Sequence, residues 1–320
     1  MAYKTQIQCY YCNKVGHEYA NCFFKWLINP YFESTLIKEM WNLYKKLLPN
    51  HEDEVKRKTF VKKIEKILNF EHPNSEIKVD MFGSSITCLG TSTSDVDICI
   101  TTPNKKLEDI HTLSEKLQKY EIKVLKCVHK AKVPIVKFLN PILELACNIN
   151  INYAQAVHNT NLIKSYVCLD SRVHPLVMII KHWAQRRDLN DATRRTLSSY
   201  TWTCMVLNFL QMRYPPISPV LKINRKGNQK ELLKFECKNN ESIGGLLFAF
   251  LNEEPFNTKR NLENGVNNDR FKIIIQEFRR AAKYLYKADL EICCEIYDEW
   301  EFEYCDGIPV ITLKILRKVS

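Results

Sequence analysis

The stretch FGSSITCLGTSTSDVDICI, residues 82–100, constrains the fold of this chain more than any other part of its sequence. Asp95 and Asp97 stand at alternate positions of a run whose other members are mostly aliphatic. Because a β-strand points alternate side chains to opposite faces, the run predicts a strand with both carboxylates on one face. Two neighbouring carboxylates repel each other unless a positive charge lies between them, and that charge is commonly a metal ion.

The same stretch begins with a turn that suits a phosphate group. Gly83 allows close approach of the backbone to a phosphate, and Ser84 offers a hydroxyl and an N–H. With Mg²⁺ or Mn²⁺ on Asp95 and Asp97, the stretch predicts phosphoryl chemistry, in which two metal ions about 3.5–4 Å apart stabilise the attacking and leaving oxygens. The alternative is an exposed strand with two solvated aspartates beside a turn.

The first 25 residues form a separate unit with the spacing C-x2-C-x4-H-x4-C. Three thiolates and one imidazole close a tetrahedral zinc site, and a closed site of four protein ligands is structural. The predicted zinc ligands are Cys9, Cys12, His17 and Cys22. This spacing is that of a zinc knuckle. Such a unit can bind single-stranded nucleic acid through stacked aromatic side chains, or pack on the next domain without touching RNA.

Composition narrows the class of protein without identifying it. The chain has 320 residues and a formal net charge of +11, which suits a polyanionic partner. Most of its 13 cysteines stand singly in apolar runs, as buried free thiols do. With no signal peptide and no apolar run of membrane-spanning length, the sequence predicts an intracellular, cytoplasmic protein without membrane contact.

Hydrophobic periodicity predicts an α+β organisation in four parts. Helices are predicted near 33–48, 52–69, 106–119, 174–188, 196–213, 242–251 and 268–287, and strands near 77–82, 94–101, 122–127, 133–139, 142–153 and 308–317. The predicted parts are the knuckle at 1–25, a helix at 26–51 that packs on the helical domain, a mixed α/β domain at 52–165 and a mostly helical domain at 166–320.

Several motifs together resemble those of the nucleotidyltransferase superfamily of terminal uridylyltransferases and cytoplasmic poly(A) polymerases. They are FGSS…SDVDICI, KVPIVKF (132–138), AVHNTNLI (156–163), PLVMIIKHWA (175–184), TLSSYTWTCMVLNFLQ (196–211), PPISPVL (215–221), SIGGLLFAFL (242–251) and EEPFNTKRN (253–261). They occur in family order over nearly all of the chain after residue 30. The knuckle placed before them resembles that of zinc-knuckle uridylyltransferases. The resemblance implies a polymerase-beta-like nucleotidyltransferase domain followed by a PAP-associated helical domain.

The resemblance also implies roles for individual side chains. Gly83 and Ser84 would contact the nucleotide phosphates, and Asp95 and Asp97 would bind the catalytic metals. The other implied nucleotide contacts are Asn159 and Thr160 at the ribose and base edge, Lys181 and Ser199 at the triphosphate, Tyr200 stacked on the base, and Glu254, Asn257 and Arg260 near the base.

Three departures from the family pattern bear on activity. Asn148 stands where the family has a third metal-binding aspartate, and an amide oxygen is a weaker ligand than a carboxylate for a hard cation. Gln185 stands where the family often has a second triphosphate-facing lysine, for which Arg186 or Arg187 could compensate. Arg260 stands where uridylyltransferases have a histidine near the uracil edge, and an arginine could still donate to uracil O4.

The leading interpretation is a template-independent enzyme that adds U from UTP to an RNA 3′ end, with Mg²⁺ or Mn²⁺, structural Zn²⁺ and a monomeric state. One alternative is a poly(A) polymerase that uses ATP. The other is a pseudoenzyme that binds RNA or nucleotide without turnover because of Asn148. Proteins of small-RNA or mRNA pathways are possible partners.

Overall fold

The fold is described from a computed structural model of the chain. The residues whose placement it describes are 30–73, 75–103, 109–129, 133–220, 235–252, 266, 268–297, 302–305 and 308–311. Among these residues, no helix combines the length and the apolar character that crossing a membrane requires.

Ten α-helices and seven strands lie within the described residues. The helices are α1 Pro30–Leu47, α2 His51–Glu71, α3 Ser84–Thr87, α4 Ile110–Gln118, α5 Ala154–Val167, α6 Val173–Arg186, α7 Ser199–Met212, α8 Ile243–Asn252, α9 Asn268–Leu285 and α10 Leu290–Cys293. The strands are β1 Lys78–Phe82, β2 Val96–Thr101, β3 Lys123–Val128, β4 Ile135–Asn140, β5 Leu145–Ile151, β6 Phe302–Cys305 and β7 Ile308–Ile311. A short 3₁₀ turn covers Ala192–Arg194.

A mixed sheet of five strands in the order β1-β2-β5-β4-β3 carries the predicted metal-binding side chains. Strands β2 and β5 are parallel, and the other neighbours are antiparallel. The register places Asp97 opposite Asn148, and Lys137 of β4 opposite Asn148 on its other side. Residues that directly face each other across a sheet point to the same side of it, so these three side chains share one face.

One hydrophobic cluster fixes the sheet. Phe60, Ile64 and Leu68 recur every four residues of α2 and are fully buried together with Ile98 of β2 and Phe138 of β4. A stripe at this spacing covers one side of a helix and lies flat on a sheet. Burial of a side chain of this size stabilises the fold by about 1.5–3 kcal/mol, so this contact holds β2 in place.

A second cluster joins the helices that follow the sheet. Trp183 of α6, Trp202 of α7 and Phe278 of α9 are buried with their ring centroids 5.2–5.8 Å apart. Leu36 and Met40 of α1 belong to the same cluster, although α1 precedes the sheet in the sequence.

The predicted helices and strands within the described residues are confirmed in type, with shifted bounds. The strand predicted at 142–153 is shorter, Leu145–Ile151, because Glu144 and Asn152 on either side adopt positive φ. The helix Ala154–Val167 was not among the predicted helices, and the strand expected at 94–101 begins at Val96. Asp95 therefore lies just before β2. The strand β6 was missed.

Several predicted site residues cannot be placed. The four zinc ligands Cys9, Cys12, His17 and Cys22 lie outside the described residues, as do Glu254, Asn257 and Arg260. Their roles stay predictions.

Candidate nucleotide site

The two predicted metal-binding carboxylates face one cavity of about 620 Å³. Arg57 of α2 fixes the loop that leads to them. Its guanidinium donates to the Thr91 carbonyl at 2.5 Å and to the carbonyls of Ser92 and Ser94 at 3.3 Å. Arg57 is a buried cation in a helix whose other buried residues are apolar. Its burial is explained by this role, since a buried guanidinium needs hydrogen-bond acceptors.

Asn148 lies between the two carboxylates as a hydrogen-bond donor. Its amide nitrogen is 3.0 Å from Asp97 Oδ1 and 3.4 Å from Asp95 Oδ2. An amide next to two ionised carboxylates presents its NH₂ group, because a carboxylate only accepts. Asn148, expected at the position of a third metal-binding aspartate, is therefore held by Asp95 and Asp97.

Lys137 completes this group from the neighbouring strand. Its ammonium lies 2.7 Å from Asp95 Oδ2. Lys137 lies in the motif KVPIVKF, and the motif alone indicated no role for it. The available signal was the alternation of β4, in which Val136 and Phe138 are buried while Lys137 points to the opposite face.

Gly83 opens the cavity beside Asp97. Its φ of 66° and ψ of −143° belong to a region that only glycine adopts readily, and an added Cβ would lie 2.5 Å from Asp97 Oδ2. Its N–H donates to Thr160 Oγ1 at 2.8 Å, and that hydroxyl donates to the carbonyl of Ala156 at 2.8 Å. Gly83 thus contributes space, while its N–H binds Thr160.

Lys181 reaches the same cavity from α6. Its ammonium donates to the Leu89 carbonyl at 2.6 Å, and burial lowers the pKa of Lys181 to about 8. Burial also raises the pKa of Asp97 to about 6, opposed by the hydrogen bond from Asn148, while Lys181 and Lys137 act to lower it. At neutral pH Lys181 is therefore still mostly charged and Asp97 is mostly ionised.

The far wall of the cavity carries the residues expected at the base and triphosphate. Tyr200 keeps 52% of its surface exposed, and burial of the remainder raises its pKa to about 12, so its hydroxyl stays protonated. Ser199, at the start of α7, accepts from Asn190 at 3.4 Å. Asn159 and Ser84 also line the cavity, and Asn159 Oδ1 accepts from Gln155. A second partly exposed ring, Tyr153, lines the cavity and was not predicted.

The two arginines considered as substitutes for a second triphosphate lysine point elsewhere. Gln185 lines the cavity, but Arg187 is buried in a two-hydrogen-bond pair with Glu277 at 2.7 and 2.9 Å. Arg186 donates to the Cys294 carbonyl at 3.1 Å. The expectation that Arg186 or Arg187 compensates for a second triphosphate lysine is wrong. Each step along a helix turns the side chain by about 100°, so the residues after Gln185 point away from the cavity, towards α9 and α10.

The arrangement fits a divalent cation. Asp95 Oδ1 and Asp97 Oδ2 receive no hydrogen bond within the described part of the chain, and the missing Cβ of Gly83 leaves room beside the second of them. Hard cations such as Mg²⁺ prefer oxygen ligands of this kind. Within the described residues, no group of three or more histidine, cysteine, aspartate or glutamate side chains could hold a metal ion.

Comparison with known proteins decides the family. The chain is 35% identical over 324 residues to poly(A) RNA polymerase cid11 of Schizosaccharomyces pombe, a match that covers 86% of this chain and 68% of the relative. This chain belongs to the terminal nucleotidyltransferase family. Residues 36–168 match the model for the central palm domain of mitochondrial-like poly(A) RNA polymerases. The resemblance read from the motifs is confirmed.

Other relatives differ in name and length. Human terminal uridylyltransferase 7 is 30% identical over 88% of this chain, which spans only 21% of that protein. Poly(A) RNA polymerase cid13 of S. pombe is 35% identical, and the match covers 80% of this chain and 54% of cid13.

Solved structures show the same fold. A cytoplasmic RNA terminal U-transferase superposes with a TM-score of 0.72 at 22% identity, covering 83% of this chain and all of that one. The Cid1 poly(U) polymerase gives 0.70 at 23% identity, covering 83% of this chain and 99% of the other. The mixed sheet with its helices is therefore the polymerase-beta-like nucleotidyltransferase fold.

Proposed function

We propose that this chain transfers a nucleotide, preferentially UMP, from a nucleoside triphosphate to the 3′-hydroxyl of an RNA. The observation that carries the proposal is one cavity, in a member of the terminal nucleotidyltransferase family, that joins two carboxylates, a buried lysine and a half-exposed tyrosine ring. These are the parts needed for a cation, a polyphosphate and a flat base.

The reaction forms a bond between the RNA 3′-oxygen and the α-phosphorus of the nucleotide, and pyrophosphate leaves. A divalent cation, for which Mg²⁺ is the natural candidate, would be held by Asp95 and Asp97 and would stabilise charge on the reacting oxygens. Structures of the Cid1 poly(U) polymerase contain Mg²⁺ with ATP or 3′-dATP.

Side chains of this chain position the nucleotide. An ammonium has three N–H donors, so Lys181 can bind the triphosphate with those not used by Leu89. Tyr200 offers a ring face for the base, and Ser199 offers a hydroxyl beside it. For comparison, Cid1 has been solved with a UTP analogue and with its short product ApU.

Adenylyl transfer is the second candidate. It is favoured by the two relatives at 35% identity, both of which are poly(A) RNA polymerases. Uridylyl transfer is supported by the zinc-knuckle spacing and by the likeness to a human terminal uridylyltransferase. The predicted base-edge residues Glu254, Asn257 and Arg260 would make the choice.

The test is extension of a labelled RNA primer with Mg²⁺ or Mn²⁺ and each nucleoside triphosphate singly. We expect more extension with UTP than with ATP. Asn148→Asp should raise the rate by orders of magnitude, because it adds a third carboxylate at the reacting centre. Asp97→Asn is the matched negative control. If Asn148→Asp extends the primer with none of the nucleotides, nucleotidyl transfer by this chain is excluded, and an RNA- or nucleotide-binding protein is the remaining interpretation.

We also propose that residues 1–25 form a structural zinc knuckle that contacts the RNA. The support is the spacing of its three cysteines and one histidine. One equivalent of zinc should copurify with the chain and be lost in Cys12→Ser. The loss should weaken binding of single-stranded RNA, whereas unchanged RNA affinity would mean that the knuckle serves only as a structural unit.

A further inference from the structure

The carboxylate pair of this site is closed on one side by its own neighbours. Asp95 Oδ2 receives the ammonium of Lys137 at 2.7 Å and the amide of Asn148 at 3.4 Å, and Asp97 Oδ1 receives the same amide at 3.0 Å. One oxygen of each carboxylate is therefore engaged by a donor from β4 or β5.

The other side of the pair is open. Asp95 Oδ1 and Asp97 Oδ2 have no donor within the described ranges, and Gly83 keeps the space next to Asp97 Oδ2 empty, since a Cβ there would clash at 2.5 Å. The site thus has two faces of different chemistry, one that already holds a positive charge and a hydrogen-bond donor, and one that offers bare carboxylate oxygens.

We propose that this chain binds a single divalent cation, on the open oxygens of Asp95 and Asp97, and that Lys137 and Asn148 exclude a second cation from the other side. The proposal deepens the proposed function, because it concerns the metal content of that same site. It also gives Lys137 a role as a charge-balancing residue.

Charge supports a single cation. Two carboxylates and the ammonium groups of Lys137 and Lys181 sum to zero charge, so one divalent ion already makes the group positive. A second divalent ion would have to displace Lys137 from Asp95 and lie beside both positive charges, where like charges a few ångströms apart repel strongly. It would also need Asn148 to turn its amide over and break both hydrogen bonds to the carboxylates.

Metal content can be measured without catalysis. The 320-residue chain is titrated with Mn²⁺ in the presence of a non-hydrolysable UTP analogue, and bound Mn²⁺ is counted and examined by electron paramagnetic resonance. We expect one bound ion per chain with the six-line spectrum of an isolated Mn²⁺. In the double variant Asn148→Asp with Lys137→Met, which removes both excluding side chains, we expect two ions, with the broadened spectrum of a coupled pair about 3.5–4 Å apart.

The role of Lys137 is tested by the affinity of the chain for Mn²⁺, not by the number of Mn²⁺ ions bound. Lys137→Met removes the competing charge and should tighten Mn²⁺ binding by about tenfold. Lys137→Arg keeps the charge and should bind Mn²⁺ as the wild type does. Thermal melts of all variants identify any that fail to fold. If Lys137→Met does not fold, Lys137→Gln replaces it.

The outcomes separate this proposal from the proposed function. A coupled Mn²⁺ pair in the wild type, or a single ion in the double variant Asn148→Asp with Lys137→Met, would overturn the single-cation site. Unchanged Mn²⁺ affinity in Lys137→Met would overturn the role of Lys137. Neither result depends on primer extension, so a chain that extends RNA while it holds two ions refutes only this inference. A chain that holds one ion without extending RNA refutes only the activity.

Discussion

At the scale of single residues, the site depends on two positions where a side chain is absent or uncharged, Gly83 and Asn148. The first leaves room beside Asp97, and the second places an amide between the carboxylates of Asp95 and Asp97. A motif alone reveals neither contribution, because each depends on how the residue lies against Asp97 in the folded chain.

Gly83→Ala should damage both the fold and the site. The substitution strains a backbone with φ of 66° and drives a methyl group to within 2.5 Å of Asp97 Oδ2, so we expect a loss of about 1–3 kcal/mol in the free energy of unfolding. Mn²⁺ affinity should fall as well. Denaturation and Mn²⁺ titration measure the two effects.

Gly90→Ala is the matched control for that substitution. Gly90 has no positive φ, and its added Cβ would meet Ser84 at an ordinary 3.5 Å. If both substitutions lower stability and Mn²⁺ affinity equally, neither property depends on the backbone conformation of Gly83.

The raised pKa of Asp97 predicts a specific dependence of stability on pH. Folding raises the pKa of Asp97 from 3.8 to about 6, mainly by burial. Between these values the folded chain holds a proton that the unfolded chain has lost. The stabilisation is therefore complete below about pH 4 and is lost as the pH rises through about 6.

Asp97→Asn removes this titration. At pH 7 without divalent cations, the variant should be more stable than the wild type by roughly 2 kcal/mol, because it buries no charge. The difference should shrink towards pH 4, where the wild-type side chain is also neutral. Urea denaturation at several pH values measures it, and a difference that is constant across pH would contradict the explanation.

At the scale of elements, α2 links the core to the site. Its apolar stripe packs on the sheet, while Arg57 on the same helix holds the carbonyls of the loop just before Asp95. The helix begins with a capping box in which Asn50 and Asp53 bind each other's backbone N–H at 2.8 and 3.0 Å. A helix fixed at its start and along one face can place a loop accurately.

Arg57→Ala should loosen that loop. Three carbonyls lose the Arg57 guanidinium, and of these the Thr91 carbonyl keeps the Ser94 N–H, so the Asp95 carboxylate should be held less well and Mn²⁺ affinity should fall by about tenfold or more. Lys58→Ala, at an exposed neighbouring position of α2, should leave Mn²⁺ affinity unchanged. If both variants bind Mn²⁺ like the wild type, the loop does not need this anchor.

At the scale of the whole molecule, the cavity lies where the sheet and the helical cluster meet. Several hydrogen bonds cross there, including Lys181 to the Leu89 carbonyl and His174 Nε2 to the Cys88 carbonyl, both at 2.6 Å. Tyr44 of α1 donates to His174 Nδ1 at 2.7 Å, which fixes the tautomer that donates to Cys88. A nucleotide in the cavity would contact both parts of the molecule.

Nucleotide binding should therefore stabilise the entire chain. UTP with Mg²⁺ at 100 times its dissociation constant should raise the free energy of unfolding by about 2.7 kcal/mol. This corresponds to a rise of about 4–8 °C in Tm. Lys181→Met should largely abolish this rise. Lys164→Met, an exposed position on α5, should keep it. Thermal melts with and without ligand measure the effect, and an equal rise in both variants would remove Lys181 from the nucleotide site.

The sequence by itself determined the family, the strand that carries Asp97 with Asp95 just before it, and the presence of an amide at Asn148, because these depend on period-2 alternation and on motif order along the chain. Only the tertiary structure decided which side chains touch the carboxylates. Lys137 and Asn148 meet Asp95 and Asp97 through strand register, and Arg186 and Arg187 turn away through helix rotation. Contacts between distant segments depend on the packing of whole elements, which local patterns do not encode.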